Sequence, residues 1–262
     1  DGFLPPQLSL VGWLLCLGPI AWAFSRTQRI QDQNFVPQMG MLAAFVFVAQ
    51  VLQFPLPGGS SAHLQGSALA AIALGAWPSM VVLTSVVLVQ GLFLGDGGLL
   101  VMGWNLFNMA LAGCLVASSL YQWALRRGYH WKSAAFAATW ASLQFSSILA
   151  CMELALAGTS PLALTLPAMG ATQSLVGLGE AFVTVAALAV LQKHKPGTGL
   201  QSGLGFLVVA LVLVVSLLPP SLYHSSGVAW LGPLPILSVL LVILLVYGLL
   251  LSLTQRFWRT QP

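Results

Sequence analysis

The sequence predicts an all-α integral membrane protein, and three observations carry that prediction. Of the 262 residues, 58% are apolar and only 5% are charged, whereas soluble domains carry about 25% charged residues. Apolar runs of about twenty residues, the length that crosses a bilayer as a helix, recur along the chain. The nine Lys and Arg residues fall in four short clusters, which are too dispersed for a nucleic-acid-binding patch.

Nine apolar segments are predicted to be membrane helices. They cover residues 7–24, 36–54, 63–74, 78–94, 99–125, 132–157, 164–191, 203–218 and 233–253. The third is too short to cross a hydrocarbon core of about 30 Å alone, so we expect a partial helix that its neighbours shelter. A polar linker, residues 193–202, separates the seven helices of residues 1–192 from a two-helix hairpin in residues 203–262.

The basic clusters predict the orientation of the bundle. They are Arg26/Arg29, Arg126/Arg127/Lys132, Lys193/Lys195 and Arg256/Arg259. Four, two and two predicted spans separate successive clusters. Because each number is even, the chain returns to the same side of the membrane each time, and all four clusters fall on one side. Because Lys and Arg are enriched in cytoplasmic loops, we expect the N-terminus and the 54–63 connection outside and the C-terminus in the cytoplasm.

His63 is the strongest candidate for a metal ligand. It lies in the glycine-rich break Pro57–Gly66, between two apolar segments and on the predicted outer side. Imidazole is a common metal ligand, and a polar group inside a membrane protein marks a substrate pathway by default. A helix-capping or interfacial histidine explains the same pattern, so both interpretations stand at this point.

Three polar residues in the next connection and in the helix that follows it are further candidates. Asp96, in the turn Leu94–Gly98, lies on the predicted outer side but is equally typical of a capping residue. Asn105 and Asn108 are one helical turn apart and are expected to face the bundle interior, where they serve a site or join helices by hydrogen bonds.

Two acids and two amides complete the candidates. Glu153 and Glu180 are the only acids inside predicted helices, where ionisable groups are either functional or hydrogen-bonded structural carboxyls. Gln50 and Gln53 lie near the outer end of the second span, where they line an entrance or face the membrane interface.

Missing motifs exclude several function classes. The chain has no GxxxxGK[ST] phosphate loop, no HExxH and no GxSxG. Its three cysteines show no CxxC spacing and are expected to be reduced core thiols. ATP hydrolysis through a phosphate loop and the commoner membrane-protease chemistries are therefore excluded.

Three blocks of sequence resemble the CbiM/NikM family, the substrate-capturing (S) membrane components of energy-coupling-factor (ECF) transporters for cobalt or nickel. The blocks are Gly58–Trp77, Val89–Ala110 and Pro161–Glu180, and the resemblance covers most of residues 1–195. Family members usually begin Met-His-Ile-Pro-Asp-Gly-Phe-Leu. Asp1–Leu4 matches the end of that pattern, so Met-His metal ligands are expected upstream of Asp1.

The resemblance implies how the metal is held. In the family, the terminal amine, a backbone amide and the second-position imidazole bind the ion, and the loop histidine that maps onto His63 completes a nitrogen set. Such a set favours planar Ni(II)-type coordination. Gln173 stands where the family often has a histidine, which leaves the choice between cobalt and nickel open. Residues expected to surround the site are Asp1, Asp96, Asn105, Asn108, Glu153 and Glu180.

The resemblance also implies a transporter subunit rather than an enzyme, with no bound cofactor and with ATP hydrolysis supplied by partner subunits. It further implies the partners and the setting. These are an ECF transmembrane coupling subunit and ATP-binding-cassette ATPases in a prokaryotic plasma membrane, importing Co(II) for cobalamin biosynthesis or Ni(II) for metalloenzymes. The 203–262 hairpin resembles, by topology alone, a fused CbiN/NikN partner. The alternatives are a channel, a secondary transporter or a membrane enzyme that uses the outer pocket for another ligand, and a scaffold subunit whose polar residues only join helices.

Overall fold

The computed structural model describes residues 4–30, 32, 35–51, 53–55, 61–94 and 97–192. Within them the chain forms seven helical segments, as predicted, and one short antiparallel ladder. The segments are α1 Pro6–Thr27, α2 Phe35–Val51, α3 Ser67–Leu74, α4 Ala76–Val89 with a π-helical turn Gln90–Leu94, α5 Met102–Asn105 continued by a π-helix Leu106–Gly113 into α6 Cys114–Arg126, α7 Trp131–Leu156 and α8 Leu162–Gln192. The ladder pairs β1 Gln53–Pro55 with β2 Ser61–His63.

The lengths of the segments agree with a multi-pass membrane protein. Five are long and apolar enough to cross a bilayer, namely Pro6–Thr27, Ala76–Phe93, Met102–Arg126, Trp131–Leu156 and Leu162–Leu191. Helix α2 is somewhat shorter, and α3 has only eight residues. The all-α membrane fold and the partial third helix are therefore confirmed.

The described basic clusters lie at one end of the bundle. Trp22, near the end of α1, packs on Trp77 at the start of α4, with 4.9 Å between ring centroids. Segment α4 then runs away from this end, and α5–α6 returns to it before the short turn into α7. We call it the basic end, and it carries Arg26, Arg29, Arg126, Arg127 and Lys132. The opposite end carries the β1–β2 ladder and is called the ladder end.

The third helix begins later than the sequence predicted. It starts at Ser67, whereas His63 belongs to β2 and pairs with Gln53 of β1. Gly66 has a φ of +75°, a left-handed conformation that a right-handed helix cannot include, so the helix starts after it. Asp1, Asp96, the 193–202 linker and the 203–262 hairpin lie outside the described residues.

Helix α1 packs very closely against the start of α5. A Cβ placed on Gly103 would meet the backbone N of Trp13 and would lie 2.7 Å from the carbonyl carbon of Gly12. Beside this crossing, Trp104 Nε1 donates a hydrogen bond to the Leu8 carbonyl at 2.8 Å. The first turns of α1 are thereby fixed against the segment that continues into the 106–113 π-helix.

Gly103→Ala is expected to lower the thermal unfolding midpoint of the detergent-solubilised protein, because its methyl group must displace the α1 backbone. Overpacking of this kind costs about 1–3 kcal/mol. Gly18→Ala is the matched control, since a Cβ there meets nothing within 4 Å and alanine favours a helix. Equal midpoints for Gly103→Ala and Gly18→Ala would contradict the close crossing.

Candidate metal-binding site

His63 is half-buried at the end of the ladder, where the chain turns into the bundle. Its Nδ1 lies 3.1 Å from the backbone oxygen of Leu64. Because a carbonyl oxygen can only accept, a hydrogen bond there requires a proton on Nδ1. A neutral imidazole protonated at Nδ1 keeps a lone pair on Nε2, which is the form that binds a metal ion.

The residues after His63 form a short loop, Leu64–Gly66, whose backbone is held by Glu180 of α8. The amide of Gln65 donates to Glu180 Oε2 at 2.7 Å, and the amide of Gly66 donates to Oε1 at 2.8 Å. Glu180 is only 3% exposed. Both carboxyl oxygens act as acceptors, so one carboxyl group satisfies the amides of two successive residues.

Two glutamines hold the same loop from other sides. Gln50 Nε2 of α2 donates to the Gln65 backbone oxygen at 2.6 Å, and Gln65 Nε2 donates to Ser146 Oγ of α7 at 3.1 Å. All three side chains are buried. The sequence is compatible with Gln50 at an entrance or at the membrane interface. The structure places it inside the bundle, where it is hydrogen-bonded to the loop.

The loop is also tied to the 106–113 π-helix. Ser146 Oγ donates to the Asn108 backbone oxygen at 2.8 Å, and Ser67 Oγ donates to the Met109 backbone oxygen at 2.9 Å. A π-helix offsets the usual backbone pairing and often occurs at functional sites. Here its carbonyls accept hydrogen bonds from the residues that surround the His63 loop.

Asn108 and Glu153 form a second buried polar pair beside Ser146. The side chain of Asn108 hydrogen-bonds to the Glu153 carboxyl, and both residues are more than nine-tenths buried. Glu153 Oε1 and Asn108 Oδ1 have no hydrogen-bond partner within the described part of the chain. Asn105 does not join them, because it is half-buried and its amide lies against Gly97.

The structure thus brings together five of the residues that the sequence singled out, namely His63, Gln50, Glu180, Asn108 and Glu153. Glu180 contacts the His63 loop directly, and Asn108 with Glu153 reaches it through Ser146. Gln65 and Ser146 were not predicted. Across the described ranges, no three His, Cys, Asp or Glu side chains gather closely enough to hold a metal ion, so His63 does not form a complete site with them.

Comparison with known proteins decides the family. A family model described as "CbiM: Cobalt uptake substrate-specific transmembrane region" matches residues 1–198, which is well over half of the chain. The chain belongs to the CbiM family. The predicted family is therefore confirmed, and with it a membrane component of metal transport rather than an enzyme.

Relatives and solved structures agree with this assignment. The "Putative fused nickel transport protein NikMN" of Archaeoglobus fulgidus is 30% identical over 240 residues, covering 89% of this chain and 79% of its own length. The "Cobalt transport protein CbiM" of Chlorobium limicola is 31% identical and covers 74% of this chain and 80% of its own length. A crystal structure of a truncated transition metal transporter superposes with a TM-score of 0.69 at 28% identity, covering 74% of this chain and 97% of that one.

Gly66→Ala is expected to lower both the thermal midpoint and the metal affinity of this CbiM-family protein. A Cβ at Gly66 would lie 2.7 Å from Val46 Cγ1, and the residue also has a positive φ. Gly75→Ala is the matched control, because Gly75 has a φ of +88° but open space around a Cβ. Both substitutions carry the backbone strain, about 1 kcal/mol or more, and only Gly66→Ala adds the clash.

The double variant Val46→Ala/Gly66→Ala separates the steric clash with Val46 from the backbone strain at Gly66. Removing the Val46 methyl groups should restore part of the stability that Gly66→Ala loses. If Gly66→Ala and Gly75→Ala shift the midpoint equally, or if Val46→Ala restores no stability, the close contact between Gly66 and Val46 of α2 is wrong.

Proposed function

We propose that this chain is the substrate-specific membrane component of an ATP-driven ECF importer and that it captures Co(II) or Ni(II). The family description, cobalt uptake, and the names of the cobalt and nickel transport relatives support this substrate class. The observation that carries the proposal is the His63 imidazole at the edge of a loop whose backbone the buried Glu180 holds. A nitrogen ligand on a preorganised loop suits a divalent transition metal.

His63 supplies one nitrogen ligand of a larger set in this proposal. The family's Met-His ligands, which the resemblance places ahead of Asp1, supply the others. Helix α1 is fixed near its start by the hydrogen bond from Trp104 to Leu8, and the π-helix packs against both α1 and α3. Because the π-helix supports both elements, it favours a site shared by the beginning of the chain and the His63 loop. At that site nitrogen ligands replace the water around the ion.

The ladder end faces the outside in this proposal, and the basic end faces the cytoplasm. Three basic side chains at the basic end lie over tryptophan rings. The pairs are Arg26 on Trp22 at 5.2 Å, Arg127 on Trp123 at 5.4 Å and Lys132 on Trp131 at 5.6 Å. Tryptophan is enriched at membrane interfaces and Lys and Arg on the cytoplasmic side, which supports capture of the ion at the outer face.

Transport requires partners in this proposal. A transmembrane coupling subunit and ATP-binding-cassette ATPases supply the energy, because the chain lacks a phosphate loop. Residues 203–262 act as a fused NikN-like hairpin. Its support is that the alignment with the fused NikMN relative covers 89% of the chain and so extends past the family match at residue 198.

His63→Ala in the protein expressed from its full gene, together with its partners, should reduce radioactive cobalt and nickel accumulation to the level of cells without the transporter. The substitution removes a metal ligand and leaves the buried loop contacts in place. Cell uptake over minutes, with each metal competing against the other, measures the effect and ranks the two ions.

His130→Ala is the matched control. His130 is exposed at the start of α7, where its ring accepts a hydrogen bond from the Lys132 amide at 3.3 Å, so its loss costs about 1 kcal/mol of capping and no ligand. Wild-type uptake by His63→Ala would favour a scaffold role for the polar residues. Absence of any uptake by the intact system would reject metal import.

A further inference from the structure

Glu180 and His63 are joined through a single peptide group. Gln65 N–H donates to Glu180 Oε2 at 2.7 Å, and the carbonyl of the same peptide unit, Leu64 O, lies 3.1 Å from His63 Nδ1. The order of groups is carboxylate, peptide N–H, peptide C=O, imidazole. Each hydrogen bond in such a chain polarises the next one.

We propose that Glu180 is a positioning residue that acts on His63 through the Leu64–Gln65 peptide, fixing the Nδ1–H tautomer and presenting Nε2 to the metal ion. This inference rests on the proposed function and specifies the role of one residue in it. Metal-bound histidines commonly donate their second ring nitrogen to a carboxylate or to a backbone carbonyl. Here both partners are present: the Leu64 carbonyl contacts the imidazole, and the Glu180 carboxyl accepts the N–H bond of the same peptide unit.

We call this series of carboxyl, peptide and imidazole groups the relay. Burial of its carboxyl end strengthens its hydrogen bonds. Glu180 is 3% exposed and Gln65 5%, so water does not compete for these hydrogen bonds, and a low dielectric strengthens them. The second Glu180 oxygen accepts from the Gly66 amide at 2.8 Å. That bond, with the one from Gln50 Nε2 to the Gln65 oxygen at 2.6 Å, holds the following peptide unit, Gln65–Gly66, and so fixes the C-terminal side of the peptide that contacts the imidazole.

Glu180 is also the acidic side chain best placed to balance the charge of a bound dication, because it contacts the His63 loop directly. Nitrogen ligands such as imidazole are neutral, so a bound dication brings positive charge into a desolvated region, which is unfavourable without a counter-charge. The described part of the chain holds two other acids. Glu153 pairs with Asn108 and is connected to the loop only through Ser146, and Asp32 is exposed in the α1–α2 connection.

The first test reads the wild-type protein, and a variant serves only to assign its signals. Nitrogen-15 labelling of histidine reports on the four histidines of this sequence and on any histidine ahead of Asp1, and His63→Gln identifies the signal of His63. The expected spectrum of the metal-free protein has His63 neutral and protonated at Nδ1, and Co(II) or Ni(II) then perturbs Nε2 directly. A proton on Nε2, or coordination through Nδ1, would overturn the relay.

The second test compares Glu180→Gln with Asp32→Asn, each of which removes one carboxylate charge. Metal affinity of the purified full chain is measured by titration with Co(II) and Ni(II), alongside thermal unfolding. Glu180→Gln should bind about 10- to 100-fold more weakly and should show a mixture of His63 tautomers, while Asp32→Asn keeps wild-type affinity. Wild-type affinity and tautomer in a folded Glu180→Gln would overturn the inference.

The outcomes separate this inference from the proposed function. Metal binding by the wild type together with an unaffected Glu180→Gln rejects only the role of Glu180. Failure of the wild type to bind either metal rejects the proposed function, whatever the tautomer of His63. If Glu180→Gln does not fold, the nitrogen-15 spectrum of the wild type still decides the relay.

Discussion

The two hydrogen bonds that Glu180 accepts from Gln65 and Gly66 are the contact around which the rest of this bundle is organised. A carboxylate in a membrane interior is unfavourable unless donors surround it, and a non-helical loop at that depth is unfavourable unless its amides find acceptors. The loop amides supply the donors that the carboxyl group needs, and the carboxyl oxygens supply the acceptors that the amides need. This pairing allows a loop, rather than a helix, to bring an imidazole to the edge of the bundle.

The neighbouring segments are shaped to receive this loop. Helix α3 is only eight residues long and starts directly after Gly66, so the loop replaces the missing turns of a membrane span. The 106–113 π-helix turns carbonyls toward Ser67 and Ser146, and the same π-helix packs on α1. A change in the loop is therefore expected to act on several helices at once.

Composition and periodicity predicted the membrane fold, the seven segments and the short third helix, because burial in lipid constrains every residue of a span. His63, Glu180, Asn108 and Glu153 were candidates because polar groups are rare in such spans. Gln65 and Ser146 were not, since their bond joins residues 81 positions apart and no local pattern signals it. The predicted start of α3 is four residues too early, because His63 pairs with Gln53 in a local ladder and Gly66 has a positive φ, and the apolar pattern signals neither.

Hydrogen–deuterium exchange of the metal-free protein tests most directly whether the loop is formed before the ion arrives. The amides of Gln65 and Gly66 donate to a buried carboxylate, so they should exchange as slowly as core amides of α7 and change little when Co(II) or Ni(II) is added. Rapid exchange of these two amides without metal, with protection that appears only on metal binding, would contradict a preorganised site.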